Sequence, residues 1–405
     1  MSSVLPFEII DQVIDIVGDN NDTNLLKDLA LVSHSFHQIC SKHLFATIDL
    51  HHANCKSSKK GFIKLLQSRP DVANYIRKLT YNTDGLGYGD DFRLSPKLSK
   101  LLRTISRLNC LAINASCFNW NTLDPSLTSA LLYLMHLPTA NHIDLSFIQN
   151  FPLSSLTKSV NLLRLDIFYL CRLNPLDEDP SEIVSLLEMM PKICEFHTSR
   201  SALLTTKLLH AKRQDGLPAF NFMDLRKVSM SFTQVKDERN IRYLLQNAKL
   251  LENFRLSVGS NQSLLWLRDI LTRSARTLKV LDFEISLYDE IYVMPLAGLC
   301  EELEVMEGNN MLEVLSFQIN VRGDESKDLI GSIIRNVENV LVKPGWPALK
   351  QVSLKISIAS SLVSGAESAA LSEALQSIPN EYLSRLSQLE SIVFNFSASV
   401  VECKA

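Results

Sequence analysis

A chain of 405 residues with 46% hydrophobic composition is long enough to bury a continuous core, and it lacks the polar bias of a disordered protein. Its formal net charge of -3 gives no global electrostatic reason to expect nucleic acid or an anionic membrane as the main partner. No run is apolar enough to span a bilayer, no secretory leader opens the chain, and the eight cysteines include no C-x-x-C pair, so reduced thiols in cytosol or nucleus are expected.

Charge changes sign near residue 55. Residues 1–50 carry Glu8, Asp11, Asp15, Asp19, Asp22, Asp28 and Asp49 against Lys27 and Lys42. Residues 56–107 carry twelve Lys or Arg against Asp71, Asp84, Asp90 and Asp91. In the first segment Ile9, Ile10, Val13, Ile14 and Val17 recur at helical spacing behind Leu5-Pro6, and proline suits a first helical turn. Gly18 to Asp22 is turn chemistry that ends this helix. A second helix, capped by Thr23 or Asn24, bears Leu25, Leu26, Leu29, Ala30 and Val32, and a third, begun by Ser33 or Ser35, bears Phe36, Ile39 and Cys40. Three short helices cannot bury this much aliphatic surface among themselves, so part of it is offered to a partner.

The ordered set Leu5-Pro6-Phe7-Glu8-Ile9-Ile10, Val13-Ile14, Leu25 to Leu29, Leu31-Val32-Ser33-His34-Ser35-Phe36 and Ile39-Cys40 resembles the F-box. The tail His43-Leu44-Phe45-Ala46-Thr47-Ile48-Asp49-Leu50 is similar to the ending common in fungal F-box proteins. Phe36 stands where that family often has Trp, and the Asn/Asp run lengthens the first turn. The resemblance implies a three-helix domain over 1–50 that binds a Skp-family adaptor, and through it cullin and RING subunits. Leu5, Pro6, Ile9, Ile10, Val13, Leu25, Leu29, Val32 and Phe36 are then the adaptor-binding residues.

From residue 51 to 405 a cassette of the form L-x-x-L-x-L recurs. Its second apolar position falls at Leu79, Leu111, Ile143, Leu165, Phe196, Val228, Phe254, Leu281, Leu315, Val352 and Ile392, at intervals from 22 to 40 residues. Helical patterns alternate with the cassettes, at 183–190, 241–248 and 264–271, and Asn82 to Phe92 reads as a long loop. One strand per unit with variable connections predicts an α/β fold: a leucine-rich-repeat-like solenoid, its parallel sheet curved and its helices outside. It resembles the horseshoe that many F-box proteins carry after the box, although the usual Asn after the strand is mostly absent. Eleven cassettes are too many for a closed doubly wound domain.

Catalytic signatures are missing. Gly85-Leu-Gly87-Tyr-Gly89 is followed by no Lys-Ser/Thr, and His34, His37, Cys40, His43, His51, His52 and Cys55 fit no zinc spacing. No enzyme activity, cofactor or metal is expected, and neither nucleic acid nor membrane as partner. What the sheet offers is a lane of charge beside the cassette leucines: Asp144, Arg164, Asp166, His197, Lys227, Arg255 and Asp282. These are the expected substrate-binding residues, on the view that they point away from the core toward an unknown protein substrate. On that view, reversing Arg164 and Arg255 removes substrate capture and leaves stability intact. The implied function is substrate recognition for a ubiquitin ligase of the Skp–cullin–F-box type, or else scaffolding without ubiquitin transfer.

Overall fold

The structure is a computed structural model and describes residues 7–20, 22–50, 56–83, 90–169, 172–174, 190–200, 202–213, 215–233, 235–259, 264–267, 271–288, 297–322, 327–360, 372–373 and 375–402. Leu5 and Pro6, the glycine cluster at 85–89 and most of the helical pattern at 183–190 lie outside the described residues. The chain divides into two compact units, residues 1–191 with 212–219 and residues 192–211 with 220–405.

The first unit opens with three helices, α1 (Phe7–Asp19), α2 (Thr23–Ala30) and α3 (His34–Leu44). Asp22, not Thr23 or Asn24, caps α2, its carboxylate accepting from Leu25 N at 3.0 Å. Ser33 caps α3 by accepting from Phe36 N at 3.3 Å. Ile14, Leu26, Ile39 and Cys40 form a small core, lined by Ile10, Val17, Leu29, Ala30, Phe36 and Leu44. Lys42 of α3 clamps α1 through Asp11 at 2.8 Å and Asp15 at 2.7 Å, and His43 reaches Asp15 at 2.7 Å. Gly18 is needed here, because a Cβ on it would overlap the His43 ring.

Five parallel strands follow in chain order: β1 (Thr47–Leu50), β2 (Lys78–Thr83), β3 (Cys110–Asn119), β4 (His142–Pro152) and β5 (Arg164–Phe168). The cassette residues stack in register, Ile48 with Leu79, Leu111, Ile143 and Leu165. β6 (Arg172–Asn174) pairs with the far end of β4. Thr47–Leu50, read in the sequence as the tail of the helical segment, is thus the first strand of this sheet. Helices α4 (Lys56–Ser68), α5 (Asp90–Leu102) and α6 (Pro125–Met135) alternate with the strands and bury Phe62, Ile63, Leu66, Leu98, Leu102, Leu127, Leu131 and Leu134. Asp90 to Phe92, expected in a loop, begin α5. Arg69 ties the first repeat to α3 through the His37 ring at 2.7 Å.

The second unit repeats the scheme with β7 (Glu195–Ser199), β8 (Lys227–Phe232), β9 (Asn253–Val258), β10 (Val280–Tyr288), β11 (Val314–Arg322), β12 (Gln351–Ser360) and β13 (Val393–Glu402), all parallel. Phe196, Val228, Phe254, Leu281, Leu315, Val352 and Phe394 share one register position. The last cassette therefore begins two residues later than expected, at Phe394 instead of Ile392. Hydrogen bonds from Leu389 N to Leu386 O and from Ile392 N to Leu389 O hold the expected cassette in turns. Its connection is fixed by the buried Glu338, which accepts the backbone N–H of Arg385 at 2.9 Å and of Leu386 at 3.1 Å. The helical pattern at 264–271 is realised as short 3-10 turns, Leu265–Leu267 and Leu271–Ser274.

Both units share a device at the strand starts. Two successive N–H groups converge on one carbonyl of the preceding repeat: Arg77 and Lys78 on Ala46, Asn141 and His142 on Asn109, Glu252 and Asn253 on Arg226, Lys350 and Gln351 on Glu313. Each repeat thereby sets the register of the next.

Candidate functional site

Two kinds of surface meet the sequence expectations. The first is on the helices. Ile9, Val13 and Ile16 form an exposed stripe on α1 at i, i+4, i+7 spacing, beside the exposed Phe7. Leu25 on α2 is also exposed, and Leu31 and Val32, in the turn into α3, are 85% and 65% exposed. Of the expected adaptor residues, Ile9, Val13, Leu25 and Val32 are thus open to solvent. Ile10, Leu29 and Phe36 are half-buried and line the helical core instead. Phe7, Ile16 and Leu31 are exposed too but are not among the residues expected to bind the adaptor. Their signal was the apolar periodicity itself, which shows an amphipathic helix but not which of two adjacent apolar residues faces inward.

The second surface is the polar side of each sheet. In the first unit it does not consist of open charges. Asp166 is 3% exposed and takes a fork from Arg164, Nε at 3.1 Å and Nη2 at 2.9 Å, together with His142 Nε2 at 2.9 Å. Burial opposes the imidazolium of His142, but hydrogen bonds to Asp166 and Cys110 outweigh it and lift its pKa to about 9. Asp144, one strand over in register with Asp166, accepts a 3.3 Å hydrogen bond from the Ser146 hydroxyl. Burial, with the like charge of Asp166, pushes its carboxyl above the usual range. Arg164 and Asp166 were expected to meet a partner. Instead they are a pair made within β5, because residues i and i+2 of a strand share a face.

In the second unit Lys227 pairs with Glu195 at 2.7 Å, and Arg255 lies between Asp282 at 3.5 Å and Glu284 at 3.2 Å. Burial raises the Asp282 carboxyl, opposed by Arg255 and aided by Glu284. His197 is half-buried on β7. Lys227 and Arg255 remain about half exposed, so they are the accessible cations among the residues named for this lane. Glu284 was missed because it lies one residue beyond the cassette, where β10 continues to Tyr288. Among the described residues no cluster of His, Cys, Asp and Glu is arranged to hold a metal ion, and no helix is long and apolar enough to cross a membrane.

No protein-family model matches this sequence, and no curated protein matches it. A crystal structure of an internalin from Listeria monocytogenes is similar at 12% identity over 85% of this chain and 89% of that chain, with a TM-score of 0.30. At that TM-score the likeness carries no weight. The repeat fold of each unit rests on its own strand register.

Two outcomes follow from the pairing. Arg164→Glu should destabilise the chain by about 3 kcal/mol, because it sets a second carboxylate against the buried Asp166 and leaves His142 as a remaining cation on it, whereas Lys227→Glu breaks a surface pair worth less than ~1 kcal/mol. Chemical denaturation of the two variants checks this; the earlier view that Arg164 reversal spares stability requires equal, small effects. The second concerns pH. Folded His142 holds its proton to about pH 9, while the unfolded side chain loses it near ~6.5. Its stabilisation is therefore complete below about pH 6.5 and is lost as pH rises through about 9, a change of roughly 2–3 kcal/mol. His142→Gln should flatten that part of the stability–pH curve.

Proposed function

We propose that this chain is a non-enzymatic substrate receptor of a Skp–cullin–F-box ubiquitin ligase. One observation carries the reading: the helical segment whose residues resemble the F-box keeps Phe7, Ile9, Val13, Ile16, Leu25, Leu31 and Val32 exposed. Each such side chain gains ~1.5–3 kcal/mol when a partner covers it fully, so a short helical segment that leaves seven in water is suited to docking. A Skp-family adaptor is the partner the resemblance supplies, and cullin and RING subunits come with it. This role belongs in cytosol or nucleus.

The helical segment, 1–50 in the sequence reading, is the adaptor module in this proposal, and 51–405 presents the substrate surface. The lane residues remain its proposed contacts unit by unit: Asp144 in the first, beside the internal pair Arg164 and Asp166, and His197, Lys227, Arg255 and Asp282 in the second. The mechanism is proximity. A substrate held beside a charged conjugating enzyme reacts at an effective concentration set by the assembly, with no catalytic group on this chain.

Val13→Asp combined with Val32→Asp alters two exposed residues and should leave folding intact. In calorimetry against purified adaptor the double variant should lose ~2 kcal/mol or more, about thirtyfold in affinity. Wild-type chain that fails to bind adaptor, or a variant that binds as well as wild type, would exclude the docking surface. Co-precipitation then separates the roles: adaptor with cullin supports a ligase receptor, and adaptor without cullin supports a scaffold.

A further inference from the structure

The helix side of the first unit carries a field of one sign that the proposed function does not use. On α4, Lys60 and Lys64 are exposed at i, i+4 spacing, and on α5, which packs against α4, Lys97 and Lys100 are exposed at i, i+3. Arg107 follows in the connection to β3 and is also exposed. None of these five forms an ion pair with a described residue. Of the acids between residues 56 and 107, Asp71 is held by Arg69 at 2.8 Å, and Asp90 and Asp91 sit in the first turn of α5, at the opposite end of that helix from Lys100. Arg103, just past α5, reaches Ser129 of α6 at 2.6 Å and lies over the Tyr133 ring. Burial and the like charge of Arg107 both push the Arg77 guanidinium below its usual range.

Like charges at these spacings disfavour each helix, and packed helices lie ~8–10 Å apart, within about one screening length at physiological salt. The lysines therefore act as one field. We propose that the α4–α5 face docks a short acidic, Asp/Glu-rich protein segment. Charge decides the sign of the partner, and the rest of the chain decides its length. The whole chain is net negative, and residues 1–50 of the same unit carry seven acids against two lysines. A long polyanion such as duplex DNA or an anionic bilayer extends past the patch and meets that repulsion, whereas a short segment senses only charges within a screening length. The face also lacks what the other partners use. Among the described side chains of α4 and α5 there is no exposed aromatic for base stacking and no exposed large apolar group for membrane insertion.

The test uses the full chain and three probes in fluorescence anisotropy or flotation: a labelled oligoglutamate peptide, a duplex DNA, and phosphatidylserine-containing vesicles. The peptide should bind, with affinity falling steeply as salt is raised. Joint replacement Lys60→Glu, Lys64→Glu, Lys97→Glu and Lys100→Glu should weaken it at least ~tenfold, and the matching Lys→Gln set by less, since exposed charge is removed but not inverted. Lys249→Glu with Lys355→Glu, at exposed sites in the second unit, should leave peptide binding unchanged, and adaptor affinity should be the same in every variant. Duplex or vesicle binding tighter than the peptide's would overturn the proposal, as would no peptide binding at low salt or equal binding by the quadruple variant.

Discussion

The constraint on which the structure depends is the shared carbonyl at the starts of β2 to β5 and β8 to β12. Two consecutive N–H groups fix each of these strands to one oxygen of the repeat before it, so none of them can slip without breaking both bonds. A slip of one residue would also send every buried leucine to the polar side. The loops between strands are then free to vary in length, since register is carried by the backbone and by the stacked apolar residue. That is how a connection of 22 residues in the first unit and one about twice as long in the second can each place the next strand in register with the one before it.

The same register governs the polar side. Parallel neighbours lie ~4.8 Å apart, so residues at one register position face each other in a row. Opposite charges placed in such a row neutralise one another before any partner arrives. Arg255 with Asp282 and Lys227 with Glu195 do so across strands, and Arg164 with Asp166 along one. A charged lane in a repeat sequence is therefore a weaker signal of binding than an unpartnered apolar stripe. Water solvates charge at little cost but gains nothing from exposed Ile9, Val13 or Leu31.

Much of the fold was legible because it has a period. Ten of the eleven cassette positions fall in register as read, since alternation places leucine inward wherever a strand forms. The eleventh failed because Leu389, Ile392 and Phe394 complete the pattern in sequence, whereas the turns at 386–392, whose start Glu338 holds, put Phe394 at the register position. Thr47–Leu50 was hidden by its place in a helical motif, and the start of α5 by the glycines before it. The charged positions were readable but their pairing was not, because it depends on side-chain reach between residues two apart on a strand or on neighbouring strands. The helical segment shows the same limit. Ile9 and Ile10 are equally apolar, and only the packing of α1 against Leu26 and Ile39 determines which of them turns outward.

Hydrogen exchange on the full chain with and without purified Skp-family adaptor tests the central claim most directly. The account places contact on the outward faces of α1 and α2 and on the turn into α3. Added adaptor should slow exchange in peptides covering Phe7 to Ile16 and Leu25 to Val32, while the strands from β2 to β13 keep their rates. Unchanged exchange across residues 7–32, or protection confined to the sheets, would contradict it.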